Sequence, residues 1–243
     1  GPRRPAIAGA SLGRPWPAPR CAAARRRVRR GPALAAAATA VADKVDSVLT
    51  EDNIPMPKTH YGIAKRKAEE YILSKELPKG KRVYILRPCM VHGPGNKGNL
   101  NLLYKIVAKG LPWPLGFFQN KRSFLSIENL CYVIKELLGN NEIPSGVYNV
   151  ADDKSISTNE LIGMLGASLN QKTKIWNVNS SLIKTIAKTG DILHLPLNSD
   201  RLQKLTESYV VSNKKIVSVL GKPLPITTEI GLITFGSETI KAK

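Results

Sequence analysis

The first 42 residues contain no Asp, no Glu and no Lys, yet hold nine Arg among many Ala, Pro and Gly. A stretch with one sign of charge and few bulky side chains cannot bury enough apolar surface to offset the entropy of ordering. Prolines at 5, 15, 17 and 19 exclude a helix before residue 20. Residues 33–42 are rich in alanine, the best helix former, and predict a short, weakly docked helix. The expectation for 1–42 is therefore a disordered or weakly helical leader ahead of a folded region, 43–243. Three readings of the leader stay open: an organelle-targeting segment, a nucleic-acid-binding arm, or sequence foreign to the fold.

Cysteine is scarce. Cys21, Cys89 and Cys131 are odd in number and widely spaced, which excludes a disulfide framework and a zinc cluster. That usage suits a reducing compartment, so the expected location is cytoplasmic, or organellar if 1–42 is a transit peptide. No run of eighteen apolar residues is free of charge, so no membrane-spanning helix is expected. His92 and His194 have no partner at metal-ligand spacing, and both read as structural. The formal net charge is +19, about half of it in the leader. A basic surface suits nucleic acid or a phosphorylated substrate. No arginine-and-aromatic module of the RNA-binding type is present, so nucleic acid is the lesser expectation.

After residue 43 the text changes to that of a folded protein. "HYGIAKRKAEEYILSKE" predicts a helix capped by Thr59, with Ile63, Ala68, Tyr71 and Ile72 toward one face. "RVYILRP" predicts a buried strand that stops at Pro88. "LNLLYKIVAKG" and "IENLCYVIKELLGNN" predict amphipathic helices, and "KRSFLSI" and "GVYNVAD" predict strands. "STNEL" carries a capping box from Ser157 to Glu160. Trp113, between two prolines, reads as loop packing. Strands alternating with helices predict an α/β fold with a mostly parallel sheet.

Tyr61 and Lys65 lie four apart on the first predicted helix, hence on one face. An ammonium beside a phenol favours the phenolate, and such a tyrosine can exchange a proton with a substrate hydroxyl. The spacing alone is not specific. Tyr71 and Lys75 repeat it on the same helix, and two exposed structural residues remain the alternative. Tyr61 is preferred because it opens the helix after a Pro-containing loop, whereas Tyr71 lies mid-helix, where packing is expected.

Four segments in order, "MPKTHYGIAKRKAEEYI", "VYILRPCMVHGPGNKGN", "NKRSFLSIENL" and "GVYNVADDKSISTNELI", resemble the extended short-chain dehydrogenase/reductase family. The nearest group is the NAD-dependent epimerase/dehydratases of nucleotide sugars, similar to the UDP-glucose 4-epimerases. The resemblance covers about residues 45–240. It implies a Rossmann-like, doubly wound sheet with a C-terminal substrate-binding α/β part. It implies Tyr61 as acid/base at the sugar 4-hydroxyl, and Lys65 as partner of Tyr61 and of the nicotinamide ribose. Pro88, Cys89 and Val91 would pass beside the nicotinamide. Asn99 and Leu100 would approach the nucleotide, and Arg122 and Arg201 would contact phosphate. The implied cofactor is NAD or NADP, the substrate a nucleotide sugar such as a UDP-hexose, and the assembly a homodimer. Met90 stands where the family often has Asn.

The cofactor half is not legible. Gly9 and Gly13 stand four apart without a third glycine in register, and Pro15 and Pro17 oppose the helix that should follow. The hydroxyl expected some two dozen residues before the tyrosine finds only Thr39, a few residues out of place. The expectation is therefore a truncated family member, an enzyme or enzyme fragment. The alternatives are a non-catalytic nucleotide-sugar binder and, more remotely, an arginine-tail nucleic-acid binder.

Overall fold

Val83, Tyr84, Ile85 and Leu86 form a β-branched and aromatic run that can pair on both edges and bury both faces. In the computed structural model, which describes residues 33–36, 48–93, 99–193 and 198–241, this run is the centre of a sheet. Strand β1 (Ala33–Ala36) pairs with β2 (Val83–Pro88), and β2 pairs with β5 (Gly146–Val150), all parallel. A second sheet holds β3 (Met90–His92), β4 (Arg122–Ser126) and β6 (Ser155–Ile156). Here β3 and β4 are parallel while β4 and β6 are antiparallel. The expected parallel sheet is thus two small sheets, one wholly parallel and one mixed.

The expected alanine-rich helix over 33–42 is corrected at its first residues. Ala33–Ala36 form β1, because pairing along Val83–Leu86 overrides alanine's local preference. The rest of the leader, with Gly9, Gly13 and Thr39, lies outside the described residues, as does His194.

Helix α1 (His60–Leu73) begins where Thr59 Oγ1 accepts a hydrogen bond from Gly62 N. Gly62 is required there: a Cβ would lie 2.6 Å from Pro57 Cβ, so only glycine lets the preceding loop cross so close. The expected apolar face of α1 is not buried. Its buried residues are Gly62 and Glu69, while Ile63 and Tyr71 are exposed. What docks α1 is an ion pair, Glu69 with Arg87 of β2 at 2.5 Å, both almost fully buried.

Helix α2 (Asn99–Ala108) follows β3, and α3 (Ile127–Gly139) follows β4 with Ser126 as its cap. Helix α4 (Thr158–Ser168) follows β6. The C-terminal region adds α5 (Ser180–Leu193), α6 (Ser199–Thr206), α7 (Lys214–Leu220) and α8 (Thr228–Lys241). Two cores result. Tyr84, Leu86, Val133, Leu137, Tyr148 and Ile216 pack the first sheet against α3 and α7. Leu100, Trp113, Phe124, Leu161, Ile183 and Phe235 join the second sheet to the helices around it. Trp113 packs as expected and donates from Nε1 to Asn159 Oδ1 at 3.0 Å.

The capping box of α4 is complete. Ser157 N donates to Glu160 Oε2 at 2.6 Å, and Glu160 N donates to Ser157 Oγ at 3.0 Å. These bonds to Ser157 hold the Glu160 carboxyl below its ordinary range. Removing the hydroxyl by Ser157→Ala is expected to cost about 1 kcal/mol, read from urea melts at neutral pH. A depressed carboxylate stabilises the fold above its unfolded pKa. That gain is lost as pH falls through the lower folded value. Ser157→Ala keeps the backbone N–H, the larger cause, so only the hydroxyl's share of the gap narrows as pH drops below the usual glutamate range.

Candidate active site

Helix geometry brings Tyr61 and Lys65 onto one side of α1, with Lys65 Nζ 5.6 Å from the centroid of the Tyr61 ring. Tyr61 is exposed and Lys65 half-buried. The second pair behaves alike: Lys75 Nζ lies 4.4 Å from the Tyr71 ring, and Tyr71 is exposed rather than packed as expected. Geometry within the helix does not separate the pairs. Their surroundings do. Next to Tyr61, Gly62 receives the loop at Pro57, and Arg66 Nη1 donates to Pro55 O at 2.5 Å, so the loop 54–58 is tied down beside Tyr61.

A polar frame fixes α1 to the sheet. Arg87 donates to both carboxylate oxygens of Glu69, from Nε at 3.3 Å and from Nη2 at 2.5 Å. Its Nη1 also donates to Glu51 O at 3.3 Å. Glu51 Oε1 accepts from Asn149 N of β5 at 2.8 Å. Three segments, 48–53, α1 and the β2–β5 pair, are thereby joined at one place. None of Glu51, Glu69 or Arg87 was singled out from the sequence. The partners are 18 to 98 residues apart, and no local pattern marks them.

Pro88, Cys89 and Val91 run from the end of β2 into β3, and all three are partly buried. Burial, and then the negative charge of Asp152, push the Cys89 thiol far up, so it stays neutral. Cys89 and Val91 pack against the apolar core of the first sheet. His92, next along β3, is buried between Phe124 and Phe235, 6.3 and 6.2 Å between ring centroids. Its Nε2 stands 3.6 Å from Asp152 Oδ2. Asp152 in turn accepts from Ser126 N and from Asn129 Nδ2, at 2.6 Å for the latter. His92 is thus buried beside Asp152, a neighbour that spacing did not reveal, and neither ring nitrogen has a hydrogen-bond partner among the described residues.

Met90, Leu100 and Arg122 meet, with Phe124, Thr158 and Lys204, around a small, partly open space of about 20 Å³. That is room for one water. Arg122 is half-buried, and its Nη1 donates to Lys204 O. Burial pulls its guanidinium pKa down, while the charges of Glu207 and Tyr209 act in the opposite sense. Asn99 is the first residue of α2. Arg201 lies exposed on α6, where its backbone N donates to Asn198 Oδ1 at 2.9 Å. It does not line the space around Arg122. Among the described residues no group of three His, Cys, Asp or Glu stands ready for a metal. Among them, too, no helix is long and apolar enough to cross a membrane.

Comparison with known proteins adds a lineage to this geometry. The sequence profile described as "NAD dependent epimerase/dehydratase family" matches residues 21–151. The UDP-glucose 4-epimerase of Vibrio cholerae is 33% identical over 183 residues, covering 75% of this chain and 54% of that protein. The structure of RMD from Pseudomonas aeruginosa complexed with NADPH superposes with a TM-score of 0.64 at 21% identity, covering 86% of this chain and 66% of the other. The UDP-glucose 4-epimerase of Thermus thermophilus, in complex with NAD, gives 0.63 at 18% identity, covering 86% and 64%. At such identities the structural likeness establishes the Rossmann-like α/β fold. The chain spans about half the length of the curated relatives it matches.

Proposed function

The chain belongs to the NAD dependent epimerase/dehydratase family, and on that premise we propose that it serves NAD(P)-dependent epimerisation at C4 of a nucleotide sugar. The observation that carries the reading is the Tyr61–Lys65 pair at the start of α1, beside a pinned loop and locked to β2 through Glu69 and Arg87.

The residues present fit the nicotinamide end of such a cofactor. Lys65 supplies a cation for the ribose hydroxyls, and Cys89 is a neutral thiol in a wall that a nicotinamide ring could lie against. When bound, the cofactor supplies a hydride acceptor and donor. Tyr61 takes the proton of the 4-hydroxyl and gives it back, a task for a positioned side chain. Lys65 holds positive charge beside the phenol as the proton leaves. Arg122 carries the planar fork suited to a diphosphate, and must release the Lys204 carbonyl to reach one. Proteins bearing the relatives' names act on UDP-glucose and on a lipid-diphosphate-linked N-acetylglucosamine, which share a sugar diphosphate.

Calorimetry tests the reading in two parts. UDP is expected to bind, and Arg122→Lys, which keeps the charge but loses the fork, is expected to weaken it about tenfold. NAD or NADPH is titrated into the same protein. Absence of binding at millimolar cofactor would leave a nucleotide-sugar-binding protein without turnover of its own.

A further inference from the structure

Beyond that reading, we infer that a second cleft, on the other face of α6 from the Arg122 space, binds a sugar phosphate. The cleft has a volume of about 480 Å³, within the range of small-molecule sites. Residues Ser199, Leu202, Gln203 and Thr206 of α6 line it, facing Lys184 and Lys188 of α5. Lys204 and Leu205, also on α6, line the Arg122 space instead. The two sites therefore share a helix but no lining residue.

The walls are arranged in two levels. Lys184 and Lys188 stand one turn apart on α5, both exposed. Among the described residues neither is in an ion pair. Gln203 is exposed with them. Deeper residues are Leu202, which is 6% exposed, and the half-buried Phe118, Thr206 and Glu207. Glu207 Oε1 is buried without a hydrogen-bond partner. An acceptor removed from water and left unpaired costs free energy, and this one places a negative charge just beneath the floor of the cleft.

These features ask for one kind of ligand. Two ammoniums at the rim take a phosphate dianion. Phe118 and Leu202 offer an apolar surface to the C–H face of a pyranose ring. Gln203 is open to a ring hydroxyl, whereas the Ser199 hydroxyl and N–H are held by Asp191 and Glu207 Oε1 lies beneath the surface of the floor. The negative Glu207 carboxylate repels phosphate from the floor, so the phosphate stays at the lysines and the ring points inward. A free phosphate satisfies the rim alone, and a neutral hexose the floor alone.

Calorimetric titration of the full chain with glucose 1-phosphate, inorganic phosphate and glucose tests this. Glucose 1-phosphate is expected to bind at least about tenfold more tightly than either of the others. The double variant Lys184→Gln, Lys188→Gln and the single variant Phe118→Ala are each expected to weaken it about tenfold. Arg122→Gln is expected to weaken it by less than the lysine variant does, because Arg122 acts on the cleft only through Glu207 and the Lys204 carbonyl. Circular dichroism and melting temperature confirm that each variant is folded. The proposal is overturned if glucose 1-phosphate does not bind at millimolar concentration. It is equally overturned if inorganic phosphate binds as well, which marks a basic surface only. Loss of binding in Arg122→Gln with retention in the lysine variant would place the ligand in the other site. None of these readings requires turnover, so they stand apart from the outcome for Tyr61.

Discussion

Tyr61→Phe is expected to lower turnover of a UDP-hexose in the presence of NAD by about 10²- to 10⁴-fold, the contribution of one positioned acid/base group. The change removes a single hydroxyl from a residue that is 61% exposed. Stability should therefore move by no more than about 0.5 kcal/mol. The ring stays, and with it the contact to the Lys65 ammonium. A drop in rate without a change in melting is thus a direct statement about the proton. The matched control is Tyr71→Phe. That tyrosine is equally exposed and lies even closer to its lysine, 4.4 Å against 5.6 Å, yet should leave turnover unchanged. Equal losses in the two variants would mean that neither is the acid/base. Unchanged turnover in Tyr61→Phe would transfer the role to another group.

The contrast between the two pairs shows what the sequence could and could not tell. The i, i+4 relation is local, and it was legible at both places. What distinguishes Tyr61 is Gly62 meeting Pro57 and Arg66 reaching Pro55, contacts across a turn whose shape spacing does not encode. Helices α3 and α4 were legible for the same reason that the pair was: apolar periodicity and a Ser cap with its acidic partner are properties of neighbouring residues. Strand β2 was legible from its β-branched run. By contrast, β1 is four residues of mostly alanine, and only its partner strand makes it a strand. Strand β3 has three residues and β6 two, below the length at which alternation shows. The gathering of Met90, Leu100 and Arg122 around one space was legible only through family resemblance. The cleft between α5 and α6 was not legible at all. Its lining comes from Phe118 and from two later helices, α5 and α6, and lysines at that spacing are frequent in this chain.

The second large effect is expected at Arg87, whose guanidinium is held by a carboxylate with almost no access to water. Arg87 and Glu69 are 6% and 4% exposed and 2.5 Å apart, across the junction of β2 and α1. Taking two charges out of water costs several kcal/mol per ion, and their attraction offsets this only while both are present. Arg87→Met takes from the buried Glu69 carboxylate the fork of two hydrogen bonds that Arg87 supplies, and also removes the bond to Glu51 O. A loss of about 3–5 kcal/mol is expected, measured by urea unfolding. The double variant Arg87→Met, Glu69→Leu removes both charges and fills the volume with apolar atoms. Most of the lost stability should return, because well-packed apolar replacements of buried pairs are often neutral. A single-variant cost under about 1 kcal/mol would show that water reaches the pair and that it behaves as a surface salt bridge. The double variant then asks a functional question that the single one cannot. With stability restored, α1 is held to β2 by non-directional contacts instead of a fork of hydrogen bonds. If turnover stays low in the stable double variant, the ion pair is what sets the direction in which Tyr61 points. If turnover recovers with stability, apolar docking of α1 is sufficient, and Tyr61 owes its position to Gly62 and the loop at Pro57.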